Sequence, residues 1–203
     1  MPRPSRKPEI LAAAVACFAE YGYAATRIRA IADRAGVSEA AFYRHFDSVE
    51  ELAASVYLQN FTEYSVRVRA AIQAPQEHEA QHSSSAEVQL RAVVGATLAL
   101  YREAPDPFLF ALEVLPAFLS RLPAGFAYPL EQVEAVIHAG QRAGTIRDGQ
   151  PNVLAAIFFG AVLRPIQLTT LAASGALEMR NGGHDEVITD AAVAALRVAH
   201  AVP

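Results

Sequence analysis

Residues 31–46 read "IADRAGVSEAAFYRHF", and this stretch decides the fold. Ala32 and Gly36 lie four apart. The small alanine lets a second helix cross closely, and the glycine takes the positive φ that ends one helix and turns the chain. Ser38 is a favoured N-cap residue, so another helix is expected directly after it, over 39–46. A helix, a tight turn and a capped helix make helix-turn-helix geometry. In that second helix Phe42 and Phe46 share a buried face with Ile28, Ile31 and Val37, while Glu39, Ala40, Tyr43 and Arg44 point outward. Small residues at a helix start allow close approach to the floor of a DNA groove, and an arginine matches guanine through paired hydrogen bonds. Tyr43 and His45 are suited to donate to phosphates, as are the free backbone N–H groups of the helix start behind Thr26.

Outward from this stretch almost every segment reads as helix, so the fold class is all-α, with about nine helices. Thr26 precedes "RIRAIADRA", and Ser48-x-x-Glu51 forms a capping box that opens a long helix over about 49–73. The polar "APQEHEAQHSSS", residues 74–85, reads as a surface loop. Ser84-x-x-Glu87 opens the next helix, to about 104, and Asp106-Pro107, Tyr128-Pro129 and Gln150-Pro151 each place a proline at a first helical position. "NGGH" at 181–184 separates the last two helices. Pro165 lies inside an apolar helix expected over 152–174, where a kink near Arg164 or two abutting helices are expected. At the N-terminus, Arg3, Arg6 and Lys7 followed by "ILAAAVACFA" imitate a signal peptide. Glu9 and Glu20 bracket that stretch, and Ile10, Ala13, Ala14, Cys17, Phe18 and Tyr21 recur at helical spacing, which favours an amphipathic helix.

The 203 residues are 53% hydrophobic, enough for a sizeable core. One cysteine, Cys17, excludes an internal disulfide framework, and no Cys/His spacing suits a metal. No uninterrupted apolar run reaches the ~18 residues of a membrane span. A soluble, cytoplasmic protein with no membrane partner is expected. The net charge of −4 hides an asymmetry: residues 1–50 hold seven basic and six acidic groups, the rest ten arginines and fifteen acids. A polyanion would meet the head. With no nucleophile elbow, phosphate loop or Ser/His/Asp grouping, neither enzyme chemistry nor a cofactor is expected.

Residues 10–52 resemble the DNA-binding domain of the TetR/AcrR family of bacterial transcription regulators. The resemblance rests on Phe18-x-x-x-Gly22-Tyr23, Thr26, Ile31-Ala32, Ala35-Gly36-Val37-Ser38, Phe42-Tyr43-x-His45-Phe46 and Leu52. It implies a helix-turn-helix domain over 1–48 and an effector-binding and dimerisation domain over 49–203. By the same resemblance Thr26, Tyr43 and His45 contact phosphates and Glu39, Ala40, Ala41 and Arg44 face bases, with Arg27 and Ser38 completing the DNA-binding set. The family often has Lys where this chain has Val49, three residues after Phe46. Arg3, Arg6 and Lys7 are expected to compensate as a basic arm.

For the body, the expected effector pocket takes in Tyr57, Phe61, Tyr64, Tyr101, Phe108, Phe110, Glu113, Phe118, His138 and Phe158. The last two helices carry more apolar area than one small body needs, and Ile157, Ala161, Leu168, Leu171, Val187, Ala191, Ala194 and Val198 are the expected homodimer interface. The resulting expectation is a homodimeric repressor on a double-stranded, pseudo-palindromic DNA operator, released by a small, largely apolar effector. The alternatives are a regulator with a filled core and no effector, and an enzyme using the C-terminal cavity.

Overall fold

The structure, a computed structural model, describes residues 5–74, 85–171 and 183–198, leaving out the side chains of 170 and 171. Helix α1 (Lys7–Tyr21) buries Ile10, Ala13, Ala14, Cys17 and Phe18, the expected stripe. Tyr21 departs from that stripe: it is 48% exposed, its ring 5.8 Å from the Arg34 guanidinium. Helix α2 (Ile28–Ala35) ends at Gly36, whose φ of +64° is the left-handed conformation expected of it. The Val37 N–H donates to Ala32 and the Gly36 N–H to Asp33, a paired closure of the helix end. Helix α3 (Glu39–Phe42) is followed by α4 (Val49–Gln73), α5 (Ser85–Glu103), α6 (Pro105–Phe118), α7 (Pro129–Arg142), α8 (Pro151–Leu171) and α9 (Asp185–Ala194). Nine α-helices are thus present among the described residues, with a 3-10 turn at Leu119–Arg121.

Helix starts follow local chemistry. The Glu51 N–H donates to Ser48 Oγ at 3.0 Å, opening α4 where the capping box places it, although the Glu51 carboxylate reaches back to the Asp47 N–H instead of that of Ser48. Tyr128-Pro129 and Gln150-Pro151 begin α7 and α8 as expected. Helix α6 begins two residues earlier than Asp106-Pro107 suggests, because Pro105 takes the first-turn position behind Ala104 and Asp106 falls within the first turn. Helix α8 runs through Pro165 as one element, so of the two expectations the pair of abutting helices is not observed. Ser84, Asn181 and Gly182 lie outside the described residues, as does most of the expected 74–85 loop.

The chain divides into two compact units, Met1–Glu63 with Ala104–Ala124, and Tyr64–Glu103 with Gly125–Pro203. In the first, an aromatic cluster joins α1, the α1–α2 turn, α4 and α6: Phe18 stacks on Phe110 at 4.6 Å, Tyr23 meets Phe110 and Phe118 edge-on, and Tyr57 stacks on Phe61 at 5.3 Å. Offset and edge-to-face contacts of this kind add to the gain from burial alone. In the second, α8 packs on α7 and α9. Gly140 lies where a Cβ would come within 2.6 Å of the Ile146 side chain, so a larger residue there would require Ile146 to shift.

Helix α9 is tied to α5 by three ion pairs: Arg102 with Asp185, Arg91 with Asp190 at 2.9 Å, and Arg197, just beyond α9, with Glu87 at 2.7 Å. Burial pushes the Glu87 carboxyl up, but Arg197 and Arg91 outweigh it and hold the group below its ordinary range. By length and composition α8 is apolar enough to cross a membrane, and one third of that stretch is buried. Its exposed apolar residues, Val153, Ile157 and Leu168, alternate with a buried row, Leu154, Phe158, Val162 and Ile166. One face serves the core of this unit and the other is uncovered.

Candidate nucleic-acid interface

The candidate reading segment, residues 36–46, is built on a small scaffold. Ala32, 1% exposed, gives α1 and α2 their close crossing. Arg34 on α2 pairs with Glu20 on α1 and lies 3.8 Å from Cys17 Sγ. That hydrogen bond holds the Glu20 carboxyl below its usual range, while burial raises the Cys17 thiol. Arg34 is therefore committed to the scaffold.

Ser38 caps α3 as expected, its Oγ accepting the Ala41 N–H at 3.2 Å. The α-helix itself is a single turn, shorter than the expected 39–46. The His45 N–H then reaches Phe42 O at 2.9 Å in a tighter i→i+3 bond, and the Phe46 N–H shares the same acceptor at 3.1 Å. The segment tapers because Phe42 and Phe46 are both drawn into the core, 0% and 2% exposed. Ile28 and Val37, expected beside them, are half-buried.

What remains outward is Glu39, Ala40, Tyr43 and Arg44, with His45 half-buried beside them. Arg44 makes no ion pair or hydrogen bond among the described residues, so its five donors are free for another molecule. One guanidinium, one phenol, one carboxylate and one methyl form a surface suited to reading base edges at close range. Arg27 is also exposed, its guanidinium resting on the carbonyls of Ala24 and Thr26 at 2.9 and 3.2 Å.

Two expected contacts are corrected. Thr26 is 4% exposed and its hydroxyl donates inward to Gly22 O at 2.8 Å, so it holds the α1–α2 turn instead of presenting an oxygen to phosphate, and Arg27 takes the N-cap position of α2. Ala41 is 7% exposed and packs inward next to Phe42, which removes it from the base-facing set. Arg3 lies outside the described residues, and Arg6 and Lys7 face the helix-turn-helix: Arg6 Nη2 donates to Ala35 O at 3.2 Å, and Lys7 Nζ lies 5.3 Å from the centre of the Phe46 ring. One signal of this was present in the sequence, two cations at a helix N-terminus, where the macrodipole disfavours them.

The sequence model of the family described as "Bacterial regulatory proteins, tetR family" matches residues 10–56, the segment that holds this scaffold and its reading face. Over residues 10–56 the chain is thus similar to the TetR family. It is 36% identical over 88 residues to the HTH-type transcriptional activator FasR of Mycolicibacterium smegmatis, covering 36% of this chain and 40% of FasR. It is 50% identical over 48 residues to the HTH-type transcriptional repressor KstR2 of Mycobacterium tuberculosis, covering 24% of each. The aligned stretches thus span less than half of either relative. The TetR-family regulator PfmR of Thermus thermophilus superposes with a TM-score of 0.69 at 20% identity, covering 92% of this chain and 96% of PfmR, a likeness of fold. FasR is named an activator and KstR2 a repressor of transcription.

The expected effector residues fall into different settings. Tyr57, Phe61, Phe108, Phe110 and Phe118 are buried in the first unit, and Tyr64, Tyr101 and Phe158 in the second. Tyr64 donates to Thr97 and Tyr101 to Thr169, both at 3.3 Å, while each threonine hydroxyl donates to its own helix backbone. Glu113 and His138 are corrected: both are exposed, on the outer faces of α6 and α7. A groove of about 550 Å³ opens in the first unit between α1, α4 and α6, lined by residues including Leu11, Val15, Val56 and Asn60, and by none of the ten expected.

Proposed function

We propose that this chain is a homodimeric TetR-family repressor, acting in the cytoplasm, that binds a pseudo-palindromic DNA operator and is released from it by a small, largely apolar effector. The observation that carries the DNA reading is the outward set Glu39, Ala40, Tyr43 and Arg44 on a capped turn whose opposite face is anchored by Phe42 and Phe46. In functional terms the reading domain is 1–48 and the regulatory domain 49–203. Tyr43 and His45 meet phosphates, Arg44 reads a base, and Arg27 and Ser38 flank the contact.

The dimer reading is supported by apolar residues left exposed on α8, on α9 and, at Val198, just beyond α9. Ile157 is 48% exposed, Leu168 36%, Val187 68% and Val198 43%, with Ala161 half-buried and Ala191 and Ala194 exposed among them. The side chain of Leu171 lies outside the described residues. Small and branched side chains allow helix axes to approach closely, and a twofold four-helix arrangement would cover the face. Twofold symmetry then spaces the two reading segments about one DNA turn, ~34 Å, apart. An effector that binds better to a dimer with another spacing weakens DNA binding only by that difference in affinity.

The test is fluorescence-polarisation binding to a fragment of the protein's own upstream DNA, titrated over salt with random DNA as competitor. Specific, salt-sensitive binding of one dimer per pseudo-palindrome is expected. Binding no tighter than to random DNA, both for that fragment and for oligonucleotides selected from a random pool, overturns the reading. The inward pairing of the Tyr64 and Tyr101 hydroxyls favours a second reading for the regulatory half, a regulator with a filled core and no effector. A screen of apolar small molecules that neither raises the melting temperature nor releases DNA would select it.

A further inference from the structure

Arg6 and Lys7 begin α1, the end of a helix at which a cation is disfavoured by the macrodipole. The macrodipole of their own helix therefore gives no reason for two cations there. Each has a partner on the helix-turn-helix. The Arg6 guanidinium donates to the carbonyl of Ala35, the last residue of α2, where the helix leaves acceptors without an intrahelical donor and a cation is favoured. Glu9, 3.5 Å from Arg6, steadies the guanidinium from its own helix. Lys7, the single lysine of the chain, places its ammonium over the ring of Phe46, which closes the reading segment. Phe46 is 2% exposed, so its ring is a fixed platform.

The two interactions bracket the reading segment. Ala35 precedes the turn that leads into it, and Phe46 ends it. We infer that Arg6 and Lys7 are positioning residues that clamp the 36–46 segment onto α1 from both ends, and are not a basic arm that contacts DNA phosphates. The part of the inference that concerns DNA rests on the reading proposed above. The clamp itself does not.

The two roles differ in measurable ways. Removing a cation that neutralises a phosphate lowers the slope of log K against log salt by about 0.9 and weakens specific and random DNA alike. Removing a clamp leaves that slope unchanged, weakens operator binding alone, and loosens the segment before any DNA is present. The experiment compares Arg6→Ala, Lys7→Gln, the double variant and Lys7→Arg in the full-length protein. Amide hydrogen exchange of the free protein is measured over 36–46 and, as an internal control, over α8. Operator affinity is measured from about 50 to 200 mM salt.

In the double variant, faster exchange confined to 36–46 is expected, with operator affinity reduced about two- to fivefold for each residue replaced, at an unchanged salt slope. Lys7→Arg retains a cation for the ring and should behave as wild type. Unchanged exchange over 36–46 in the double variant overturns the clamp, as does a salt slope that falls by about 0.9 for each cation removed, with two cations removed per substitution in a dimer. If the wild type prefers no DNA sequence, the repressor reading fails, while the exchange arm still decides the clamp.

Discussion

The head and the body of this chain expose opposite kinds of surface. Around the reading segment the apolar groups are consumed and the polar ones are left over: Phe42 and Phe46 are inside, while Arg44 and Tyr43 stand free. From α9 to Val198 the charges other than exposed Glu186 are paired, and apolar groups are left over. Asp185, Asp190 and Arg197 are paired with α5, while Val187 and Val198 face outward. Each region is therefore paired on the side that holds it together and open on the other. A free guanidinium at a capped turn is complementary to a polyanion, and an uncovered row of methyl groups to another apolar face.

The strongest way to break this comparison is to remove an aromatic from each region. Phe42→Ala and Phe158→Ala each empty a site that is 0% exposed, and each should cost about 3–5 kcal/mol in urea denaturation. Only Phe42→Ala should also abolish sequence-specific binding at a temperature where the protein is still folded. Equal loss of DNA binding in both variants would show that the head has no cohesion of its own.

Next in size is Ile157→Asp, which places a carboxylate on the uncovered face of α8. Dimer affinity by analytical ultracentrifugation should fall about thirtyfold or more, the size of an interface hot spot. The monomer should melt as before, because Ile157 is 48% exposed and leaves no cavity. An unchanged mass would assign that face to some other partner.

Arg44→Ala sharpens the comparison from the other side. It should cost about 1–3 kcal/mol on the operator and much less on unrelated DNA. Equal loss on both would make Arg44 a phosphate contact and leave base reading to its neighbours.

The smallest effect is the pH dependence of the α5–α9 tie. The folded pKa of Glu87 lies below its unfolded value, so its contribution is full above the ordinary carboxylate range, near about 4.3, and is lost as pH falls through the lower folded value. The stability difference between wild type and Glu87→Gln should be under about 1 kcal/mol, since its arginine partners are partly solvated. It should hold from pH 7 to 5 and vanish only in stronger acid. A difference that already shrinks between pH 7 and 6 would place the responsible titration elsewhere.

The helix-turn-helix was legible because its signals are local. Gly36 closes α2 and Ser38 caps α3 through bonds spanning a few residues, and proline at a first helical position marks α7 and α8. The same spacing placed Phe42 and Phe46 inside and Arg44 outside, because a periodic pattern fixes the face of a helix before its partner is known. Expectation departed from structure where one turn offered two choices. Ala41 is as compatible with either face as Ala40, and Thr26 caps a helix or bonds a carbonyl with equal ease; the packing of the α1–α2 turn decided for the carbonyl.

Local sequence was enough for the all-α class, most of the helix starts, the helix-turn-helix and the outward placing of Glu39, Ala40, Tyr43 and Arg44, since these depend on backbone hydrogen bonds and periodicity within a turn or two. Packing across the fold was needed to settle that Arg6 and Lys7 reach Ala35 and Phe46, that α8 runs unbroken through Pro165, and that Glu113 and His138 point away from the buried aromatics. Long side chains find partners distant in sequence, and a proline is held in a helix by what packs around it. Both are settled by the shape of the whole core, which no local window contains.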